Sequence, residues 1–317
     1  MDICEQALLF DCEGESLVGI ISDGASSGDL GVLVIVGGPQ YRVGSHRQFV
    51  RLSRFLARNG VPTMRFDYRG MGDASGAQRS FATVTADVLA AVDAFVTAQP
   101  AVRRVVLWGL CDGASAACLA LPAHPQLAGA ILLNPWVHTA AGQASVMLRH
   151  YYLRRLFDGR FWRKLLHGDV KLLQSLRSLL KTALGARRRP EPSAARSAVE
   201  PDLSVTVADV AISAPSASTI PLTGPAHLAD VPELPQRMLA GLLRADKPVT
   251  VILSGRDFVA REFEQLCQRD SAWKQWLRSV KVEQLKEANH TFSRIEDAQA
   301  VERFTLQWLT ENLVVDR

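Results

Sequence analysis

Short apolar runs alternate with amphipathic segments along most of the chain. Helical spacing of apolar residues predicts helices over residues 49–56 and 80–98, and a closing helix over residues 296–312. The runs that indicate buried strands cover residues 17–21, 31–36, 63–66, 104–107, 130–133, 248–255 and 280–285. Because short loops join most of these elements, the alternation predicts an α/β fold with a mostly parallel central sheet flanked by helices.

This alternation stops after Trp136. Residues 138–184 have the pattern of basic amphipathic helices, and residues 186–234 are rich in Pro, Ala and Ser and short of aromatic side chains. The second composition is typical of poorly ordered chain. The sequence therefore predicts one core, made of residues 1–136 and 246–317, with a basic helical cap or lid inserted over residues 137–245.

A cysteine lies in a sharp turn after the apolar run at residues 104–107. The turn has the sequence Gly-Leu-Cys-Asp-Gly at residues 109–113, and small residues that suit a helix follow it. Glycines two positions on either side of a nucleophile, between a strand and a helix, are typical of the nucleophile elbow, which usually carries serine. The positive end of the helix dipole should lower the pKa of Cys111 and make the thiol reactive.

Two further residues complete a predicted catalytic triad with Cys111. Asp257 and His290 each follow a predicted strand, so both should lie at the carboxyl edge of the sheet, beside the elbow. The chain order of nucleophile, acid and histidine also goes with this elbow. Taken alone, Asp257 could be a helix N-cap, His290 a loop residue and Cys111 an inert buried thiol. Together they favour a triad in which His290 is the base and Asp257 orients it.

Acyl chemistry also needs hydrogen-bond donors for the developing oxyanion. The backbone amide of Asp112, directly after the nucleophile, is one candidate. The loop at residues 37–41 should supply the second donor. Its proline has no N–H, so Gln40 is preferred and Gly38 comes next. A plain turn that ends a strand explains this loop about as well.

The motifs, taken in order, resemble those of the α/β-hydrolase family. They are Gly37-Gly38-Pro39, the run from Asp67 to Ser75, the elbow, Gly255-Arg256-Asp257 and Asn289-His290. More narrowly, residues 37–47 with a cysteine elbow look like the first of the two hydrolases associated with the exosortase A system, a subfamily encoded beside bacterial exopolysaccharide genes. The resemblance covers the chain outside the insertion and implies an α/β-hydrolase fold. The chain departs from the family in having Cys for Ser at position 111 and no His before Gly37.

Charge is unevenly distributed along the sequence. The formal net charge is +4, but residues 149–189 contain twelve Lys or Arg and only two Asp, a local charge of +10. As a lid, the insertion would offer basic side chains to an anionic carrier, an acidic protein or a membrane surface; as a simple cap, its charge would only aid solubility. The residues that could serve such a partner are Arg163, Lys164, Arg187, Arg188 and Arg189.

Other classes of function are not indicated. The N-terminus has no signal-peptide pattern, and no stretch approaches the ~20 apolar residues of a membrane span, so a cytoplasmic protein is expected. The five cysteines form no C-x-x-C pair, which fits a reducing compartment. No metal-binding motif is present, and the glycine loop at residues 70–76 misses the dinucleotide-binding spacing. We therefore expect no cofactor, no metal and no nucleic-acid partner.

The favoured function is that of a hydrolase acting on a small-molecule ester or thioester. The triad of Cys111, His290 and Asp257 would act through an acyl-enzyme intermediate. Because amines readily attack a thioester, the first alternative is an acyltransferase or thioesterase that uses the same cysteine. The second is a non-catalytic protein of the same fold that binds a lipid or protein partner through its basic lid.

Overall fold

Eight strands form a single sheet in the computed structural model, which describes residues 3–24, 28–37, 41–137 and 233–313. The strands are β1 Cys4–Cys12, β2 Glu15–Asp23, β3 Leu30–Ile35, β4 Thr63–Asp67, β5 Arg104–Leu110, β6 Leu127–Leu133, β7 Val249–Ser254 and β8 Lys281–Leu285. Their order across the sheet is β1-β2-β4-β3-β5-β6-β7-β8. The pairs β1–β2 and β2–β4 are antiparallel, and every other pair of neighbours is parallel.

Helices cover both faces of this sheet. Within the described ranges they are α1 Gln48–Arg58, α2 Thr85–Ala98, α3 Asp112–Ala120, α4 Leu234–Ala245, α5 Phe258–Arg269, α6 Ser271–Arg278 and α7 Ile295–Leu313. Successive strand side chains point to opposite faces. In β3, Leu33 and Ile35 accordingly pack into the apolar cluster with α2 to α6, whereas Val32 and Val34 pack into the cluster with α1 and α7.

The predicted α/β fold with a mostly parallel sheet is confirmed, and a strand lies at each apolar run. Strand β1 is not among the predicted strands. Most of its side chains are exposed, and it is held by antiparallel pairing with β2 along its whole length. The helix expected over residues 80–98 begins only at Thr85. A 3-10 turn at Phe81–Thr83, capped by the Ser80 hydroxyl, precedes it.

Helix α4 belongs to the core and not to the insertion. The sequence boundary at residue 246 places this helix in the cap, but the side chains of Met238 and Leu242 are buried in the core cluster. The helix approaches α3 so closely that a Cβ atom at Gly241 would overlap the Cys118 carbonyl. The Pro, Ala and Ser-rich sequence just before α4 hides this boundary. Residues 138–232, which include most of the predicted cap, lie outside the described residues.

The turn between β5 and α3 packs directly against the end of β3. A Cβ atom at Gly113 would lie 2.5 Å from the Ile35 carbonyl oxygen, and one at Gly37 would lie 2.5 Å from the Leu110 carbonyl oxygen. A Cβ atom at Gly109 would overlap the backbone of Gly113. The two elbow glycines are therefore required by close backbone approach, which fixes the height of the turn above the sheet.

We expect Gly113→Ala to lower the free energy of unfolding by about 1–3 kcal/mol, because a side chain there must displace the end of β3. Gly28→Ala is the matched control, since its nearest non-local heavy atom to a new Cβ is 3.9 Å away. Urea unfolding followed by circular dichroism measures both variants. Equal transition midpoints for the two proteins would contradict the close-packing explanation.

Candidate active site

The turn at Cys111 holds this residue in an unusual backbone conformation, with φ 61° and ψ −123°. Hydrogen bonds to several parts of the chain maintain it. The Cys111 N–H donates to the Leu133 carbonyl at 2.8 Å, and the Cys111 carbonyl accepts from the Ala114 N–H at 3.0 Å and the Trp136 N–H at 3.2 Å. A strained residue persists only where its surroundings determine its conformation, and such residues cluster at functional sites. The thiol itself is half-buried.

Asp257 and His290 form a hydrogen-bonded pair at the same edge of the sheet. Asp257 Oδ2 accepts from His290 Nδ1 at 2.9 Å and from the Ala260 N–H at 3.1 Å. The carboxylate thus caps helix α5 and contacts the histidine at the same time. Because an ionised carboxylate only accepts hydrogen bonds, Nδ1 carries the ring proton and Nε2 of a neutral His290 can accept another.

Cys111 lies close enough to this pair for the charge of Asp257 to raise the pKa of the thiol. No hydrogen bond joins Cys111 to His290 in the described part of the chain. The histidine–aspartate bond of the predicted triad is thus present, and the bond to the nucleophile is not. Catalytic hydrogen bonds are often long before substrate binds and shorten only in the complex.

Burial, which has the largest effect, and the neighbouring carboxylate of Asp112 together raise the pKa of the Cys111 thiol to about 12. A hydrogen bond from the Asp112 backbone lowers the pKa but is outweighed. The expectation that the helix N-terminus lowers this pKa is therefore wrong. The helix dipole is opposed by a negative charge in the first turn of α3 and by loss of solvation. At neutral pH Cys111 is a neutral thiol in the free protein.

Both ends of the predicted oxyanion loop are fixed, although Gly38 and Gln40 lie outside the described residues. At the N-terminal end of the loop, Gly37 packs against the elbow. The Asp112 amide, the other predicted donor, is at the first residue of α3, directly after Cys111. An oxyanion donor at Asp112 is thus compatible with the elbow geometry.

At the second end of this loop, Tyr41 and Arg42 are bound to two aspartates, one at the end of strand β4 and one in the loop that follows it. The Arg42 N–H donates to Asp67 Oδ1 at 2.8 Å, and its guanidinium pairs with both Asp67 and Asp73. The Tyr41 hydroxyl donates to Asp73 Oδ2 at 2.8 Å. Burial raises the pKa of Asp67, while the bonds with Arg42 oppose that shift. Sequence reasoning missed this anchor, because its members are about twenty-five to thirty residues apart.

A buried asparagine at the end of β6 is the second feature that the sequence does not reveal. Asn134 is fully buried at φ 43°, and its side chain contacts both β7 and the loop that carries His290. The only local signal is an Asn at the end of an apolar run, a residue type that tolerates left-handed backbone conformations better than most.

Two further features near the site have structural explanations. His46 is exposed at φ 53° in the 3-10 helix before α1. Gly72 lies at φ 54°, where a Cβ atom would overlap the Asp67 carboxylate, so the glycine loop accommodates the aspartate anchor. The described residues contain no group of three or more His, Cys, Asp or Glu placed to hold a metal ion. The predicted anion-binding residues Arg163, Lys164, Arg187, Arg188 and Arg189 lie outside the described residues.

None of the described helices is long and apolar enough to cross a membrane.

Comparison with known proteins agrees with this architecture. Residues 31–181, just under half of the chain, match the family model described as serine aminopeptidase, S33. No curated protein matches the sequence. The family match therefore supports a hydrolase of the α/β-hydrolase class, while the position that carries the serine nucleophile in the elbow motif is Cys111 in this chain.

Several solved structures have the same fold. The Pyrococcus furiosus esterase Pf2001 aligns with a TM-score of 0.60 at 14% identity, over 98% of this chain and 94% of that one. Dienelactone hydrolase from Anabaena variabilis aligns at 0.56 and 12% identity, over 99% and 100%. Est1E from Butyrivibrio proteoclasticus, solved with ferulic acid, aligns at 0.56 and 16% identity, over 96% and 100%. The predicted α/β-hydrolase fold is thus confirmed, and the exosortase-associated subfamily stays a prediction.

The rate of Cys111 alkylation should report its raised pKa. Because only the thiolate reacts, we expect the iodoacetamide rate at Cys111 to rise about tenfold per pH unit from about pH 7 to about pH 10, with no plateau. Asp112→Asn removes a charge that disfavours the thiolate and should raise the rate at fixed pH by up to about tenfold.

Peptide mass mapping separates alkylation of Cys111 from that of the other four cysteines. The Cys111→Ser protein, which lacks this thiol, is the control. A plateau below about pH 9, or slower alkylation of the Asp112→Asn protein, would show that burial and Asp112 do not control this thiol.

Proposed function

We propose that the protein is an esterase or thioesterase that uses Cys111, His290 and Asp257 as a catalytic triad. The observation that carries this proposal is the 2.9 Å bond between Asp257 Oδ2 and His290 Nδ1, at the sheet edge where Cys111 lies in a strained elbow. The match to a hydrolase family supports hydrolysis as the reaction class. Among the similar structures, the names esterase and dienelactone hydrolase favour an ester bond as the target.

In the proposed reaction, His290 Nε2 takes the proton of the Cys111 thiol as the sulfur attacks the substrate carbonyl. A carbon–sulfur bond forms, and the oxyanion accepts hydrogen bonds from the amide of Asp112 and from Gln40 or Gly38. The bond to the leaving group then breaks, and His290 returns its proton to the leaving alcohol or thiol. Water, deprotonated by His290, attacks the acyl-thioester and releases the acid and the free thiol.

The raised pKa of Cys111 makes the general base essential in this scheme. With a pKa of about 12, almost no thiolate is present at neutral pH, so the proton must leave during the attack. Asp257 stabilises the imidazolium that results. Because it bonds Nδ1, Nε2 of His290 is left free to take the proton. A preformed thiolate–imidazolium pair, as in papain-like proteases, is not part of this mechanism.

Acyl transfer is the second candidate, and the cysteine itself favours it. A thioester intermediate reacts readily with amines, so an amine or alcohol acceptor would compete with water at the same step. A role in a bacterial exopolysaccharide system is the narrower form of either candidate. It rests on the resemblance of residues 37–47 together with the cysteine elbow.

Kinetics with p-nitrophenyl esters and acyl thioesters test the triad. Cys111→Ala should abolish turnover, and His290→Ala should lower kcat by about 10²–10⁴-fold through loss of the general base. The matched control is His124→Ala. His124 also contacts an aspartate, Asp93, at 3.1 Å, but it lies before β6 at the opposite end of the sheet. Turnover by the His290→Ala protein at the wild-type rate would exclude the triad.

Intact-protein mass spectrometry distinguishes the candidate reactions. After mixing with an excess of acyl ester, we expect the mass to rise by one acyl group on Cys111, because acyl-enzyme forms before water attacks. Added hydroxylamine or a primary amine that clears the adduct faster than water would favour transfer. An unmodified mass with every ester and thioester tested, in a protein that also lacks turnover, would favour a non-catalytic binder.

A further inference from the structure

We infer that Asn134 is a positioning residue that holds the backbone of His290 in place relative to Cys111. This inference rests on the proposed function, because it concerns the placement of the proposed base. Strand β6, which Asn134 directly follows, lies between β5, which precedes the proposed nucleophile, and β7, which precedes the proposed acid. Asn134 therefore lies between the turn that contains Cys111 and the strand that precedes Asp257.

The main chain at the end of β6 bonds to both neighbouring strands. The Asn134 N–H donates to the Ile252 carbonyl of β7 at 3.1 Å. One residue earlier, the Leu133 carbonyl accepts from the Cys111 N–H at 2.8 Å. The backbone of this segment is thus fixed directly to the nucleophile turn on one side and to β7 on the other.

The Asn134 side chain extends this connection to the histidine loop. Its Nδ2 donates to the His290 carbonyl at 3.2 Å and to Ser254 Oγ at 2.8 Å, and its Oδ1 accepts from the Ser254 N–H at 2.9 Å. Ser254 Oγ in turn donates to the Asn289 carbonyl at 2.9 Å. The carbonyls of two consecutive loop residues are therefore held by one buried side-chain pair.

Only asparagine meets all the requirements at this position. The backbone lies at φ 43°, where Asn and Gly are the most readily accommodated residues. The amide must accept from the Ser254 N–H and donate to the His290 carbonyl, so its orientation is determined by its partners. A carboxylate has no donor and would face the His290 carbonyl with negative charge. Glycine would fit the backbone but leave these buried groups without their partner.

His290 has two fixed points in the described residues: its ring is bound by Asp257 and its backbone by Asn134. If the bond to Asn134 is lost, the His290 ring can stay bonded to Asp257 while its distance to Cys111 changes. A misplacement of about 1 Å in a catalytic constellation can cost on the order of 10²-fold in rate. The effect should fall on kcat, because Asn134 is fully buried and cannot contact the substrate.

The experiment compares full-length Asn134→Asp and Asn134→Gly with Thr305→Val. The control removes another buried hydrogen bond, from Trp108 Nε1 to Thr305 Oγ1 at 3.2 Å, on a helix that does not contact the histidine loop through this residue. Three quantities are measured: kcat and KM for p-nitrophenyl acetate, the pH profile of kcat/KM, and the NMR signal of the His290 Nδ1 proton in protein carrying 15N-histidine. Thermal unfolding reports the stability of each variant.

For both Asn134 variants we expect kcat to fall about 10–100-fold with KM unchanged. We also expect a displaced pH profile and a shifted or lost His290 signal, and Thr305→Val should change only the melting temperature. Equal loss of kcat in all three proteins at matched stability would mean that Asn134 is merely structural and would overturn the inference. An unchanged kcat and His290 signal in a folded Asn134 variant would overturn it as well.

The readouts also separate this inference from the proposed function. If the wild type does not hydrolyse the ester, the proposed function fails, and the His290 signal still decides whether Asn134 positions the loop. If Asn134→Asp does not fold, Asn134→Gly decides, because glycine accepts the positive φ without strain. Retention of the wild-type His290 signal in that variant would overturn the inference.

Discussion

The conformation of Cys111 is the constraint on which the rest of the site depends. A non-glycine residue at φ 61° is held only if the surrounding backbone leaves it no alternative. Here the turn is pressed between strand β3 and the end of β6, with Gly113 against the Ile35 carbonyl and the Cys111 N–H on the Leu133 carbonyl. Cys111 is thus positioned by the packing of the sheet. Any side chain that must contact Cys111 therefore has to be held in place by the same strands.

Two acidic side chains and the amide of Asn134 are held against these strands because each forms hydrogen bonds with more than one segment of the chain. Asp257 caps α5 with the same oxygen that binds His290, so the acid is held by the helix that it starts. Asp67 receives the Arg42 backbone N–H as well as its guanidinium. Asn134 bonds to β7 and the histidine loop together. Side chains that share their hydrogen bonds in this way fix separate loops to one sheet edge without the need for further secondary structure.

The sequence was sufficient for those features that leave a local pattern. Buried strands have apolar runs, so the parallel part of the sheet and the positions of Cys111, Asp257 and His290 at one edge could be predicted. Strand β1 is not among the predicted strands, although residues 7–10 are apolar, and the composition before α4 hides where the core resumes. Side-chain bonds between distant segments, such as those of Asn134 to residues more than a hundred positions away, leave no local pattern.

The pKa of Cys111 shows most directly why local reasoning is not enough. The helix dipole is a property of neighbouring residues and favours thiolate, whereas burial depends on everything that packs around the thiol. Burial has the larger effect, and Asp112 adds to it. A serine at the same turn would also be neutral, so the elbow and the pair of His290 and Asp257 suit either nucleophile in the attacking step. In the proposed reaction, what sulfur changes is the second half-reaction, because the acyl intermediate would be a thioester and open to acceptors other than water.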